Sequence, residues 1–387
     1  MRAFAVGALV GALATGVGSI DPAPAQTAPR LGGYYEHQLS GSLRRGDGSY
    51  LDYDRFRVNL DQTAGAHAAA SIGVVYQLYR GDTRVPLAGL LPRSLAGLVD
   101  TASVEIADRH FVNHLYLSLR AGPVELVAGK QYLAWGAAAV FNPTELFRPK
   151  NPFEPGYDRE GLGAITTKLA LGPLSELLVA VVPDGGFERS GKVARARHHV
   201  GGVDLSALVA ETHEPIAAAT PGGGRTLARR RALGGDFSAE LAGFGVWGEA
   251  LYSWFDGARW LEASAGGNYT LGDGTRLTLE GYFNGRGEGG APYRAESWLA
   301  RISGDRRSLG RVLLYGGVSR TVTELWTVGG SAIANPGDGS AALIPLVGYS
   351  LAQNVDLLFN GFVSLGDDES ELGAGGTGAF LRARIYY

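Results

Sequence analysis

Leu381-Arg382-Ala383-Arg384-Ile385-Tyr386-Tyr387 decides the fold. Leu381, Ala383, Ile385 and Tyr387 are apolar or aromatic, and Arg382 and Arg384 stand between them. A period of two puts alternate side chains on opposite faces of a strand, here one apolar and one charged.

The same alternation recurs through the chain. Phe56, Val58 and Leu60 oppose Arg55, Arg57, Asn59 and Asp61. Leu277, Leu279 and Phe283 oppose Arg276, Thr278, Glu280 and Asn284; Leu261, Ala263, Ala265 and Tyr269 oppose Glu262, Ser264 and Asn268. Val355, Leu357, Phe359 and Val363 oppose Asp356 and Asn360. Eighteen such segments are expected, from Tyr34 to Leu43 through Ala379 to Tyr387. Sixteen is the alternative count, because Val193 to Ala210 is weakly patterned. The segments run to roughly 8–12 residues, the length a tilted strand needs to cross hydrocarbon. Long connections at 80–109, 133–160 and 285–309 all fall on one side, with a helical or capping piece at Pro86 to Pro92 and a short helix at Ala295 to Ile302. A soluble sandwich of eighteen strands would be very long. The expected fold is all-β: a single transmembrane antiparallel barrel with short periplasmic turns and long extracellular loops.

Composition agrees. The chain has 59 glycines and 10% aromatic residues, and its mean hydropathy is near zero. That is too polar for a helical membrane protein but suits strands with one face in lipid and one in water. A net charge of −3 gives no reason to expect nucleic acid, and the absence of cysteine excludes disulfides and thiolate metal sites. Arg2, the apolar stretch Ala3 to Gly18 and Ala23-Pro24-Ala25 read as an export signal over residues 1–25, cut near Ala25. Residues 26–387 then form the barrel.

The terminal aromatic strand resembles the closing strand of bacterial outer-membrane β-barrels. Lys130-Gln131, Trp135-Gly136 and Asn142-Pro143 resemble a segment of poorly characterised porin-like outer-membrane proteins of Gram-negative bacteria. That likeness covers about thirty residues plus the architecture, and carries no catalytic residues. It implies an outer-membrane location and contact with outer-membrane lipid.

A charge facing lipid at the midplane costs about 2–4 kcal/mol for Arg or Lys, so the charged faces belong inside. Closure sets the last strand beside the first. Arg55, Arg57, Arg382 and Arg384 then form a basic wall, with Arg195 and Arg197 added to it. Asp236, Glu240, Glu249, Glu262 and Glu280 form an acidic wall elsewhere. Such walls would set a field across a water-filled lumen and tune selectivity. Alternatively the charges neutralise one another locally, Glu36 between the arginine pairs and Asp61 beside Arg57, and merely brace the barrel. Tyr252, Trp254, Tyr269 and Tyr387 fall outward near strand ends, as interfacial aromatics do.

Residues 129–161 carry four prolines and four Phe or Trp residues. Apolar side chains want burial and prolines stiffen the chain. Trp135, Phe141, Phe147, Arg148, Lys150 and Phe153 therefore mark a loop that folds inward as a constriction, packs on the rim or meets a surface partner.

The expected function is a passive channel for small hydrophilic solutes or ions, without cofactor or metal and without catalysis. One alternative is a structural barrel with an occluded lumen whose loops bind a partner or polysaccharide. The other is a surface hydrolase, for which His213 between Glu211 and Glu214 is the only loose candidate. His110 and His114 would share a strand face about 13 Å apart, too far for one metal. A homo-oligomer or a surface protein partner fits either barrel reading.

Overall fold

The computed structural model describes residues 28–99, 102–216, 226–255 and 257–387. The expected export signal and its cleavage site lie outside these residues.

Eighteen antiparallel strands form one sheet. In chain order they are β1 (Arg30–Arg44), β2 (Asp47–Ala64), β3 (Ala68–Gly81), β4 (Arg109–Ala121), β5 (Val124–Gln131) and β6 (Leu162–Gly172). Then come β7 (Ser175–Val182), β8 (Gly191–Val200), β9 (Val203–Ile216), β10 (Thr226–Leu241), β11 (Phe244–Phe255) and β12 (Ala258–Thr270). The last six are β13 (Arg276–Asn284), β14 (Val312–Thr321), β15 (Trp326–Asn335), β16 (Ser340–Ala352), β17 (Val355–Leu365) and β18 (Thr377–Tyr386). Each strand pairs with its chain neighbours, and β18 returns to β1, from Tyr34 opposite Tyr386 to Leu43 opposite Thr377. Closure leaves no sheet edge, so every strand can meet hydrocarbon with its backbone groups paired.

Both expected features of the connections hold. The even-numbered strands end in short turns. Long connections, at 82–108, 132–161, 285–311 and 366–376, all follow odd-numbered strands and crowd one rim. The helix Ala295–Ile302 stands where the sequence places it, and Pro86 to Pro92 includes the 3-10 turn Leu87–Leu90. Arg45-Gly46-Asp47-Gly48 reads in sequence as the first turn, and the turn is tighter than that. Arg45 and Gly46 both take positive φ, 55° and 93°, which matches the twist of a two-residue hairpin and lets β2 begin at Asp47.

Side-chain alternation sorts as expected. Phe56, Val58, Leu60, Leu279 and Phe359 stand exposed on the outside, while Arg55, Glu280 and Asn360 are buried within. Two local expectations fail. The alternation predicts a strand from Glu324 to Ile333, but β15 starts at Trp326, because a turn at Thr323 to Trp326 takes the first residues; the Trp326 N–H donates to the Thr323 carbonyl at 3.2 Å. His110 and His114 do not share a face. The β3–β4 register shifts so that Gly73 faces His114 and Val74 faces Val112, leaving Asn113 as an extra residue. A bulge of this kind reverses the alternation, so His114 is buried inside and His110 is exposed.

The apolar core lies inside the barrel. One cluster sets Trp135 against Leu178, Val193, Leu208 and Leu251 on the β7–β11 wall. A second sets Val140 and Phe141 against Tyr282, Leu313, Ile333 and Ile344 on the β13–β16 wall. A third joins the outer loops through Leu91, Tyr293, Trp298, Leu309 and Ala374.

Leu279 is 70% exposed at mid-strand on the outer face. Leu279→Arg should lower the denaturant stability of the barrel refolded in a bilayer by about 2–4 kcal/mol, whereas Thr278→Arg on the inner face should change it far less.

Candidate functional site

Residues 132–161 leave β5, fold into the lumen and cross it. The base of the loop is set by Gln131, which donates to the Ala164 carbonyl at 3.0 Å and accepts from Thr166 at 2.9 Å. Lys130 donates to Glu160 at 2.5 Å and ties the two legs.

The far end of the loop lands on two buried carboxylates. Glu280 on β13 accepts the N–H groups of Ala139 at 2.7 Å, Val140 at 3.2 Å and Phe141 at 2.6 Å, and the Trp247 indole N–H at 2.8 Å. Glu249 on β11 accepts from Ala138 N–H and Asn142 Nδ2, both at 2.6 Å, and from the Thr144 hydroxyl at 2.8 Å. Consecutive amides folded around an anion form a cradle that satisfies loop and carboxylate together. Gly136 makes this fold feasible. Its φ is +99°, and a Cβ there would sit 2.6 Å from Glu249 Oε1. The Trp135 indole donates to the Thr144 carbonyl at 2.5 Å, Phe141 stacks on Tyr282 at 5.1 Å and Phe147 meets Trp135 edge-on. Arg307, from the loop above, donates to the Asn142 and Glu145 carbonyls at 2.5 and 2.6 Å. Lys150 reaches back to the Ala138 carbonyl at 3.0 Å. Arg148 is exposed.

The near end docks on the arginines of β2 and β18 and on Tyr34 and Glu36 of β1. Glu36 has no exposed surface. It accepts the Tyr157 and Tyr53 hydroxyls at 2.7 and 2.8 Å and Arg384 Nε at 2.7 Å. Arg55 donates to the Tyr157 hydroxyl at 2.7 Å, and Arg382 lies 4.4 Å from the centre of the Tyr157 ring. Arg57 and Tyr34 share Asp158, at 2.9 and 2.6 Å. Arg382 binds Gln38 at 2.9 Å and forms an ion pair with Glu154. Burial pushes the Asp158 carboxyl up, but the Tyr34 hydroxyl and the Arg57 charge outweigh it and hold it below the usual range. Glu160 is likewise raised by burial and brought lower by Lys130.

The two expected walls therefore exist as places but not as free fields. Arg55, Arg57, Arg382 and Arg384 do cluster, and Glu36, Glu154 and Asp158 meet them. Arg57 takes Asp158, and Asp61 instead accepts from Ser71 at 2.5 Å. Arg195 and Arg197 do not join the basic wall: β8 lies far around the barrel from β18. Arg195 pairs with Asp236 at 3.2 Å and Arg197 with Asp204 at 3.1 Å. Glu262 is met by Arg230 at 3.2 Å and Arg307 at 3.7 Å. Glu240 is exposed near a short turn. Sequence reasoning passed over Glu154, Tyr157 and Asp158. Their signal is a polar cluster in an otherwise apolar, proline-rich loop.

Three cavities meet at the inward loop. One of about 540 Å³ opens toward the long loops, between Phe153, Trp298, Arg301, Phe362 and Phe380. Two more, of about 400 and 370 Å³, open toward the short turns. Arg382 and Arg384 line the first of these, Thr278 and Tyr315 the second. Glu154 borders all three.

A serine–histidine pair also lies inside. Ser71 Oγ is 2.8 Å from His114 Nε2, but the carboxylate of Asp61 holds the serine, and His114 Nδ1 faces the Tyr132 hydroxyl at 3.2 Å. A hydrolytic triad needs the carboxylate on the histidine. No group able to hold a metal occurs among the described residues.

Glu280→Ala should strand three loop N–H groups and destabilise the folded barrel by about 3 kcal/mol, read as a lower unfolding midpoint. Gly136→Ala should cost about 1–3 kcal/mol through forced positive φ. In both variants, limited proteolysis should reach Arg148 and Lys150 faster than in the parent.

No family model matches the sequence, and no curated protein matches it. Solved structures do match in shape. OccAB4 of Acinetobacter baumannii superposes with a TM-score of 0.57 at 9% identity, over 94% of this chain and 98% of that one. OccK11 (OpdR) of Pseudomonas aeruginosa gives 0.54 at 9% identity, over 93% and 95%. OccK7 (OpdD) of the same organism gives 0.54 at 10%, over 93% and 99%. In fold, the chain is a closed eighteen-strand antiparallel β-barrel similar to these three.

Proposed function

We propose that the chain is an outer-membrane channel for passive diffusion of small hydrophilic solutes or ions, exported by residues 1–25 and spanning the membrane with residues 26–387. The observation that carries this reading is the string of cavities meeting at Glu154. Strands β13–β18 line the three between the long-loop rim and the short-turn rim, while the inward loop packs against β7–β11 and, through Val140 and Phe141, against β13–β16. The solute path is then a narrow passage between residues 153–157 and the opposite strands. Of the expected basic wall, Arg382 and Arg384 border this passage and Arg55 and Arg57 stand behind Tyr157 and Asp158. Of the acidic wall, Glu249 and Glu280 hold the loop rather than meet the solute.

A second reading, a closed barrel that binds a surface partner, draws on the outer loops, which share an apolar cluster of their own. Single-channel recording in a planar bilayer separates the two. Stable stepwise conductance supports the channel. Arg382→Ser with Arg384→Ser should shift ion selectivity toward cations, and removal of residues 138–156 should raise the conductance severalfold. A folded, heat-modifiable barrel that conducts nothing would sink the channel and leave the surface role.

Acid should release the loop in one direction only. Asp158 and Glu160 are depressed, so their contribution to docking is present above the ordinary carboxylate range and lost as pH falls through their folded values. Conductance should hold steady from about pH 8 to about pH 5 and turn noisy or larger only below about pH 4. A transition near neutrality would contradict this assignment.

A further inference from the structure

On the outside of the barrel, near the long-loop rim, β7 to β11 carry a groove of about 620 Å³. Val193, Leu208 and Ala210 point into the lumen cluster, so their neighbours Lys192, Ala194, Val209 and Glu211 point outward. Ala194 and Val209 form a shallow apolar floor. Phe187 closes one end and Trp254 the other, 71% and 37% exposed.

The lip above this floor is basic. Lys192, Arg229 and Arg231 all converge on the one carboxylate of Glu211, at 3.1, 3.8 and 3.4 Å. Three cations on one anion leave an excess of two positive charges among these described side chains. The two arginine heads are half exposed. Half-exposed basic heads in excess over their one acid, beside an apolar slot, match a molecule with an anionic head and a hydrocarbon tail. Arginine forks suit phosphate oxygens, and flanking aromatics suit the boundary where head meets tail.

We propose that this groove binds a phosphorylated lipid of the outer leaflet, with its phosphate on Lys192, Arg229 and Arg231 and one acyl chain along Ala194 and Val209 between Phe187 and Trp254. The site rests on the long loops facing outward and does not depend on an open lumen.

Native mass spectrometry of the full refolded barrel tests it, with bisphosphorylated lipid A, its dephosphorylated form and phosphatidylcholine offered at equal concentration. The phosphorylated lipid should be retained and the other two lost. Lys192→Gln with Arg229→Gln and Arg231→Gln should weaken retention by about 10- to 100-fold. Ala194→Phe, which fills the floor and leaves the charges in place, should weaken it as well, and it carries the test if the triple variant does not refold. Equal retention of the dephosphorylated lipid would overturn the proposal. So would retention unchanged by both changes, or paired barrels in place of bound lipid. Channel conductance should be the same in parent and variants, which separates failure of this site from failure of the channel.

Discussion

A carboxylate buried in a closed barrel must find hydrogen donors inside it, and a loop folded into the lumen must find acceptors. The rest of this structure depends on the match between those two needs. Glu249 and Glu280 take the amides of residues 138–141, and Glu36 takes the hydroxyl of Tyr157. Neither side is stable alone: bare carboxylates would remain solvated, and bare amides cannot be buried without partners. The loop is thus built by the wall, and the wall charges are tolerable because of the loop.

That reciprocity explains an arrangement that looks wasteful at first. β1 and β11 stand nearly opposite in an 18-strand circle, and one loop is anchored on both. Anchors at a single side would leave the other end free to swing through the lumen. With both ends held, Trp135 is pressed onto the β7–β11 wall and Phe141 onto the β13–β16 wall, and their apolar surface is removed from water. Polar anchors fix the direction, and apolar contacts supply much of the adhesion.

The strands and their faces were legible in the sequence because period-two alternation is local. Leu279 against Glu280, or Phe56 against Arg55, needs no knowledge of the rest of the chain. The parity of loop lengths was legible for the same reason. What the sequence concealed is long-range. Arg195 read as one more basic residue until β8 and β10 came to lie two strands apart and gave it Asp236. His114 kept the wrong phase because a bulge at Asn113 leaves no mark in hydropathy. Lys-Gln, Trp-Gly and Asn-Pro stood out as a motif, but their roles became visible only in three dimensions: Gln131 seats the loop, Gly136 makes room for Glu249 and Asn142 donates to it.

On the proposed channel reading, the same logic sets where solute would pass. Wherever the loop is cemented by apolar packing, by Trp135 against β7–β11 and by Val140 and Phe141 against β13–β16, the lumen is filled with hydrocarbon. Its remaining flank, at Glu154, is held mainly by charge on Arg382. Charged groups keep water near them, so the polar flank stays hydrated where the apolar flank is dry. A passage through this barrel therefore belongs on the Glu154 side. Its walls carry paired rather than bare charges, which in the proposed channel would favour polar solutes broadly over any one sign of ion.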